Sequence, residues 1–364
     1  MVTSSPRAAC VRCAEPLGST AARALCASCQ ARLRVLLSAR AGVRPPVYRS
    51  PFWPVSIAAL LTLSLVAAAL VRQFASPAPD APTPQAGVWQ VLGDTGFNSP
   101  VGLAADRLGH LYVVDAAACH IYKLAADGKL LATFGQRGTA PGEFDRPTAV
   151  AVDPVGILYV ADTANNRIQI ISPTGGGPLR TLGSFGTGPG QLNGPRGLAV
   201  DGEFNVYVAD TGNDRVQKFS PLGQVDAIWG RTGTDAGEFR QPFSVALDAS
   251  GSVYVADTGN HRIQKLAPNG VPIAAWGTYG AGAGQFSYPR WLDLDARGHI
   301  FVSDSYNHRI QELSSAGLPL AQWGTRGGQP GQFRRPEALV VDDSGGLIVI
   351  DADNDRLQRF RPGG

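Results

Sequence analysis

The chain repeats itself six times. An aspartate ends each of six YVAD-like runs, at Asp115, Asp162, Asp210, Asp257, Asp304 and Asp351, with steps of 47, 48, 47, 47 and 47 residues. Prolines recur in phase at Pro100, Pro147, Pro195, Pro242, Pro289 and Pro336, and five residues after each aspartate stands His120, Arg167, Arg215, Arg262, Arg309 or Arg356. A period of this length means that each unit is one supersecondary element, able to bury its apolar face only against its neighbours.

The third copy shows what the unit is. GLAVD (197–201), NVYVAD (205–210), RVQKFS (215–220) and DAIW (226–229) read as four short strands, separated by the turn sequences DGEF, DTGN and SPLG. Four-stranded units set around an axis make a β-propeller. The sixth copy ends after its third strand, and VWQVL (88–92), ahead of the first repeat, supplies a fourth. The predicted fold class is therefore all-β, a six-bladed propeller over residues 88–364 closed by an N-terminal strand that removes an open sheet edge.

What precedes the propeller differs in composition. Residues 1–50 hold eight arginines and one acid, Glu15, for +7, whereas the rest of the chain, with 24 basic and 28 acidic residues, carries −4. Val55–Val71 has no charge, and Phe52 and Trp53 extend it to about the 20 residues that a bilayer requires. A transmembrane helix is thus expected at 52–72. The basic side lies N-terminal, so residues 1–50 are expected in the cytoplasm and the propeller outside it. A cleaved signal peptide is the rival reading, but a 50-residue, cysteine-paired n-region is too long for one. The Pro-rich stretch 73–87 reads as an extended spacer.

Four of the five cysteines fall in this basic segment. Cys10 and Cys13, then Cys26 and Cys29, form two CxxC pairs with 12 residues between them. Two such knuckles present four thiolates to a tetrahedral Zn²⁺, and a metal gives so short a segment a route to a fixed fold. A pair of redox dithiols is the competing reading. The basic stretch 30–44 that follows suits anionic lipid headgroups.

The propeller sequence resembles the NHL-repeat family. The resemblance rests on VALDASGSVYVADTGNHRIQKL (245–266) and on the connector WGTYGAGAGQFSYP (276–289), and it covers roughly residues 88–364. Propellers of that family serve as binding platforms, as extracellular sensor domains and, less often, as lyases, so the resemblance implies a fold more than a function. The arrangement of zinc-ribbon-like segment, anchor and propeller resembles bacterial NHL proteins. The RING domain of the animal NHL ligases needs eight ligands, and only four cysteines and no histidine precede the anchor.

Residues present in every blade read as structural: the Asp–Arg pairs, and the asparagines between them, are expected to fix the turn between strands two and three. Function is sought in what varies. After each proline, at the mouth of the axis, stand Val101, Thr148, Arg196, Phe243, Arg290 and Glu337. Blade five departs most, with Trp291 and Asp293 in place of the small Gly197 and Ala199 of blade three, and Tyr306 and Tyr288 on its connectors. Arg196, Phe243, Arg290, Trp291, Asp293, Tyr306 and Glu337 form the candidate ligand site, suited to a protein, peptide or carbohydrate. The competing view of blade five is that Trp291 fills a gap between blades and Asp293 caps a backbone donor.

Two functional classes follow. One is a non-catalytic binding, sensing or scaffold module. The other is a metal-dependent lyase or hydrolase on the connector face, which would draw on His120, His261 and His308. This second reading follows from the resemblance, because propeller-type amidating lyases use a histidine-held metal with Arg and Tyr. A Cys119–His120 pair in blade one is a further reactive candidate, against the simpler view that a terminal repeat has decayed. Nucleic acid is disfavoured as a partner, because residues 88–364 hold 23 basic against 27 acidic residues. Elemental mass spectrometry of residues 1–50 and 86–364, purified separately, should find near-stoichiometric zinc in the first piece. Metal in the second, lost on His261→Ala or His308→Ala, would instead favour the enzyme.

Overall fold

The computed structural model describes residues 87–363, apart from 93–95, 175–176 and 343–344. The chain divides between Ser76 and Pro77 into two units, and all the described residues belong to the second. The segment with Cys10, Cys13, Cys26 and Cys29, the span 52–72 and all but the last residue of the 73–87 spacer lie outside the described residues. Among the described residues, no helix is long and apolar enough to cross a membrane.

Six four-stranded antiparallel sheets make up the domain, five of them from consecutive strands. In blade three these are Leu198–Val200, Val206–Asp210, Arg215–Phe219 and Val225–Trp229, within two residues of the strands read from the sequence. The second strand of every blade is buried along its whole length, as in Val253–Asp257 and Leu347–Asp351. It is covered on both faces by adjacent blades, which is why it reads as a continuous run of Val, Tyr, Ile and Ala instead of an alternation. The outermost strands are the more exposed ones, and Leu130–Phe134 and Pro178–Leu182 expose most of their side chains.

Closure follows the sequence reading. Blade six contributes Pro336–Val341, Leu347–Asp351 and Arg356–Pro362, and Gly87–Leu92 adds the fourth strand, paired from Gly87↔Pro362 to Leu92↔Leu357. Trp89 packs edge-on to Phe333 and tilted against Phe360, with ring centroids 5.1 and 5.2 Å apart.

The repeated polar residues do more than fix a turn. In blade four the fully buried Asp257 accepts hydrogen bonds from Arg262 Nε at 2.7 Å, Asn260 Nδ2 at 2.9 Å, Gln264 Nε2 at 3.0 Å and the backbone N–H of Arg240 at 2.7 Å. Arg262 then donates to the carbonyls of Thr234, Asp235 and Glu238, and Gln264 bonds Glu238 O and the N–H of Gly237. The group therefore clamps the whole connector that enters the blade. Equivalent clamps centre on Asp162, Asp210, Asp304 and Asp351. Where the connector leaves the previous blade, Gly230 takes φ +95°, and a Cβ on it would stand 2.3 Å from the Phe239 ring, so only glycine fits.

Blade one lacks the clamp arginine. Asp115 keeps the backbone N–H groups of Asn98 and Ala118, while His120 Nδ1 lies 3.4 Å from the Tyr122 hydroxyl. Cys119 is buried and its thiol donates to Ala116 O. The two candidate reactive side chains thus engage different neighbours.

Ring closure makes a measurable demand. Leu92 is buried at the end of the closing strand, and Leu92→Ala should cost about 2–5 kcal/mol, with removal of residues 87–92 costing more. Denaturant unfolding should show one transition for the whole propeller shifting downward. Loss of blade six alone, with the other blades unmoved, would contradict cooperative closure.

Candidate functional site at the axial mouth

In blades two to six the clamp delivers the connector to a proline at, or two to three residues before, the start of the inner strand. The residue before that proline is left-handed in five blades: Arg146, Gly194, Gln241, Tyr288 and Arg335 have φ between +43° and +57°. Four of these N–H groups are held by a side chain of the preceding blade. Gly194 donates to Asn166 Oδ1, Gln241 to Asp214 Oδ1, Tyr288 to His261 Nδ1 and Arg335 to His308 Nδ1. His261 and His308 are therefore acceptors in a repeated staple, in the same role as Asn166 and Asp214. Accepting at Nδ1 requires the neutral imidazole, and burial lowers the pKa of both rings. Among the described residues, no group of three His, Cys, Asp or Glu side chains is placed to hold a metal ion.

The residues on either side of each proline lie at the mouth. All six post-proline residues, Val101, Thr148, Arg196, Phe243, Arg290 and Glu337, line one hollow of about 610 Å³, with Arg146 and Arg335. A second hollow of about 410 Å³ adjoins it, sharing Arg196, Phe243 and Arg290 and adding Tyr288 and Tyr306. Of the seven site residues named from sequence, five meet here.

Their contacts form a chain of cations and rings. The Arg196 and Arg290 guanidinium carbons lie 4.8 and 5.1 Å from the Phe243 ring centroid, and Arg290 is also 5.6 Å from that of Tyr306. Tyr306 packs on Tyr288 at 5.0 Å, Tyr288 on His261 at 4.6 Å and His261 on Tyr279 at 4.9 Å. An aromatic ribbon thus runs outward from the mouth over blades four and five, with Tyr279, Tyr288 and Tyr306 exposed.

The charges divide unevenly. Glu337 is buried and binds Arg290 Nη1 at 2.5 Å and Arg335 Nη1 at 2.8 Å, while Arg335 Nε donates to Asp353 at 2.8 Å. Burial pushes the Glu337 carboxyl up, against the pull of Arg290, Arg335 and Arg196. Burial, and then the charge of Arg290, push Arg196 down.

Trp291 and Asp293 do not join the site. Trp291 is buried in the core cluster that also holds Ala338 and Leu339 of blade six, so it fills space between blades. Asp293 accepts the N–H groups of Leu294 and of Val341 in the next blade, both at 2.9 Å, and so caps backbone donors. Both depart from the small residues of other blades for reasons of packing. Arg146 and Arg335 went unnoticed in the sequence reading. Their signal was available, because the residue before each proline is as much in phase as the residue after it.

Asp293 gives a pH signature. Burial pushes its carboxyl up to about 6, above its ordinary value of 3.8. Between about pH 4 and 6 the native chain holds this proton more tightly than the unfolded chain does, so the contribution to stability falls as pH rises through that window. The melting temperature of the protein relative to Asp293→Asn should drop from pH 4 to pH 6 and level off above. A flat difference would contradict the burial.

Comparison with known proteins agrees with this architecture. The NHL repeat model matches residues 144–171, 192–219, 239–266 and 286–313. No curated protein sequence matches. Among solved structures, a streptogramin B lyase superposes with a TM-score of 0.56 at 13% identity, covering 76% of this chain and 98% of its own. A catalytically inactive virginiamycin B lyase from Staphylococcus aureus with quinupristin gives 0.55 at 12% identity, covering 76% and 99%. A gluconolactonase-like protein gives 0.56 at 15% identity, covering 79% and 96%. At these identities the likeness establishes the fold, whose other users include enzymes. Repeat matches, strand order and ring closure together identify the domain: the chain carries NHL repeats built into a six-bladed β-propeller.

Proposed function

We propose that the propeller is a non-catalytic binding module that receives a ligand at its axial mouth. The observation that carries this reading is the convergence of five varied residues, Arg196, Phe243, Arg290, Tyr306 and Glu337, on two adjoining hollows over a backbone that every blade repeats. Such variation over constant scaffolding is what a recognition surface requires. The metal-dependent alternative draws less support, because the imidazoles of His261 and His308 are spent on backbone N–H groups of the neighbouring blade.

The aromatic ribbon suits a ligand with flat or apolar faces, a carbohydrate or a peptide. Tyrosines offer contact area at low entropic cost and keep a polar tip for hydrogen bonding. In the full chain, the 52–72 segment would anchor the propeller outside the cytoplasm. Zinc on Cys10, Cys13, Cys26 and Cys29 would order the basic N-terminal segment for a cytoplasmic partner.

A thermal-shift screen of the full chain against short peptides and oligosaccharides tests the reading. A ligand present at 100 times its Kd should add about 2.7 kcal/mol to stability. Tyr306→Ala and Phe243→Ala should remove the shift, while Leu318→Ala, an exposed residue away from the mouth, should leave it unchanged. Shifts that survive both mouth variants, or turnover of the bound compound, would overturn a non-catalytic site at the mouth.

A further inference from the structure

The mouth holds more positive charge than its own acids neutralise. Arg290 and Arg335 converge on Glu337, and Arg335 also takes Asp353. Arg196 and Arg146 line the larger hollow, and among the described residues neither forms an ion pair. Glu337 favours the charge of Arg196 from nearby, but its carboxylate is already shared by two other arginines. Four guanidinium groups therefore face two carboxylates.

Arg196 is also oriented for use. Its guanidinium carbon lies over the Phe243 ring, and its backbone is fixed because its N–H donates to Ala209 O at 3.1 Å and its carbonyl accepts from the Thr148 hydroxyl at 2.9 Å. The cation–π contact uses none of the guanidinium N–H donors, and these form the fork that matches an oxyanion in two parallel hydrogen bonds. Held beside Arg290 and Arg146, half-buried and unpaired, this cation is unfavourable until an anion arrives.

We infer that Arg196, with Arg146, binds the oxyanion of a small ligand, a carboxylate or a phosphate, in the larger hollow, while the body of the ligand extends over Tyr306 and Tyr288 in the smaller one. The inference rests on the reading of the mouth as a binding site and adds the chemical class of what binds there. The Glu337 pairs belong to the frame: they hold Arg290 against Phe243 and Tyr306, which shapes the wall between the hollows. The size of the hollows fits one sugar acid, one aromatic acid or a chain terminus.

Calorimetric titration of the full chain at low ionic strength tests this with inorganic phosphate, galacturonate and N-acetyltyrosine, each organic acid paired with its neutral analogue, galactose or N-acetyltyrosinamide. At least one anion should bind saturably, roughly tenfold or more tighter than its neutral analogue, and should weaken as salt is added. Arg196→Gln should weaken it by about 10- to 100-fold, and Arg196→Lys, which keeps charge but loses the fork, by less. Phosphate binding alone would assign a phosphate ligand, and binding of either organic acid alone a carboxylate. Thermal melts of each variant separate loss of binding from loss of fold. No anion binding at millimolar concentration, or binding untouched by Arg196→Gln, would overturn the inference. A neutral probe lost on Tyr306→Ala but kept in Arg196→Gln would overturn it too, while leaving the mouth a binding site.

Discussion

A buried carboxylate at the end of the second strand is the interaction on which this propeller depends. Taken alone, Asp257 with no exposure would be a heavy cost, since a charge removed from water must be repaid by partners in good geometry. Here the repayment is distributed. Arginine, asparagine and glutamine side chains and a connector N–H all converge on it, and the arginine and glutamine carry the hold outward to connector carbonyls up to 28 residues away. A connector that would otherwise be a loose loop between blades becomes a rigid element with its polar backbone satisfied. The mouth inherits that rigidity, because the clamped connector ends on the left-handed residue and the proline that precede the mouth side chains.

This division explains what the sequence could and could not reveal. The period, the four strands per unit and the closing strand are all written in spacing and alternation, because a propeller is quasi-one-dimensional and each blade restates the rule. The post-proline ring was legible for the same reason. Trp291 and Asp293 were legible only as a choice between ligand contacts and a filler with a cap, and their neighbours across the blade interface, which no linear pattern displays, decide for the filler and the cap. Large or charged residues there look like a site in a linear reading and turn out to fill and cap. The histidines entered the sequence reading only as an alternative, because whether a ring nitrogen points at a ligand or at the next blade's N–H is set by backbone that the sequence does not display.

Net charge gave a second partial view. Residues 88–364 carry more acid than base, which argues against a phosphate-backbone partner spread over the surface. The charge is not evenly laid out, however. The outer turns hold acids that serve their own strands, such as Asp248, which receives the N–H groups of Ser250 and Ser252 and the Lys265 ammonium. Four arginines, Arg146, Arg196, Arg290 and Arg335, gather at the mouth. A cleft with an excess of positive charge in a domain of net negative charge would focus its field on a small anion more than on a long polyanion.

The arrangement at Arg196 is best understood through what a stability-driven sequence would place there. The equivalent positions in blades one and two hold Val101 and Thr148, and Thr148 closes its own hydrogen bonds with Thr163 and with the Arg196 carbonyl. A valine or threonine at 196 would satisfy the fold without setting another cation beside Arg290. The fold accepts the less favourable residue in the ring position where two hollows meet, stacked on the phenylalanine of the next blade. Departures from local consistency in an otherwise self-consistent repeat concentrate at functional positions. In this propeller the departure has a definite chemistry, a positive charge that lines both hollows and has no ion-pair partner among the described residues.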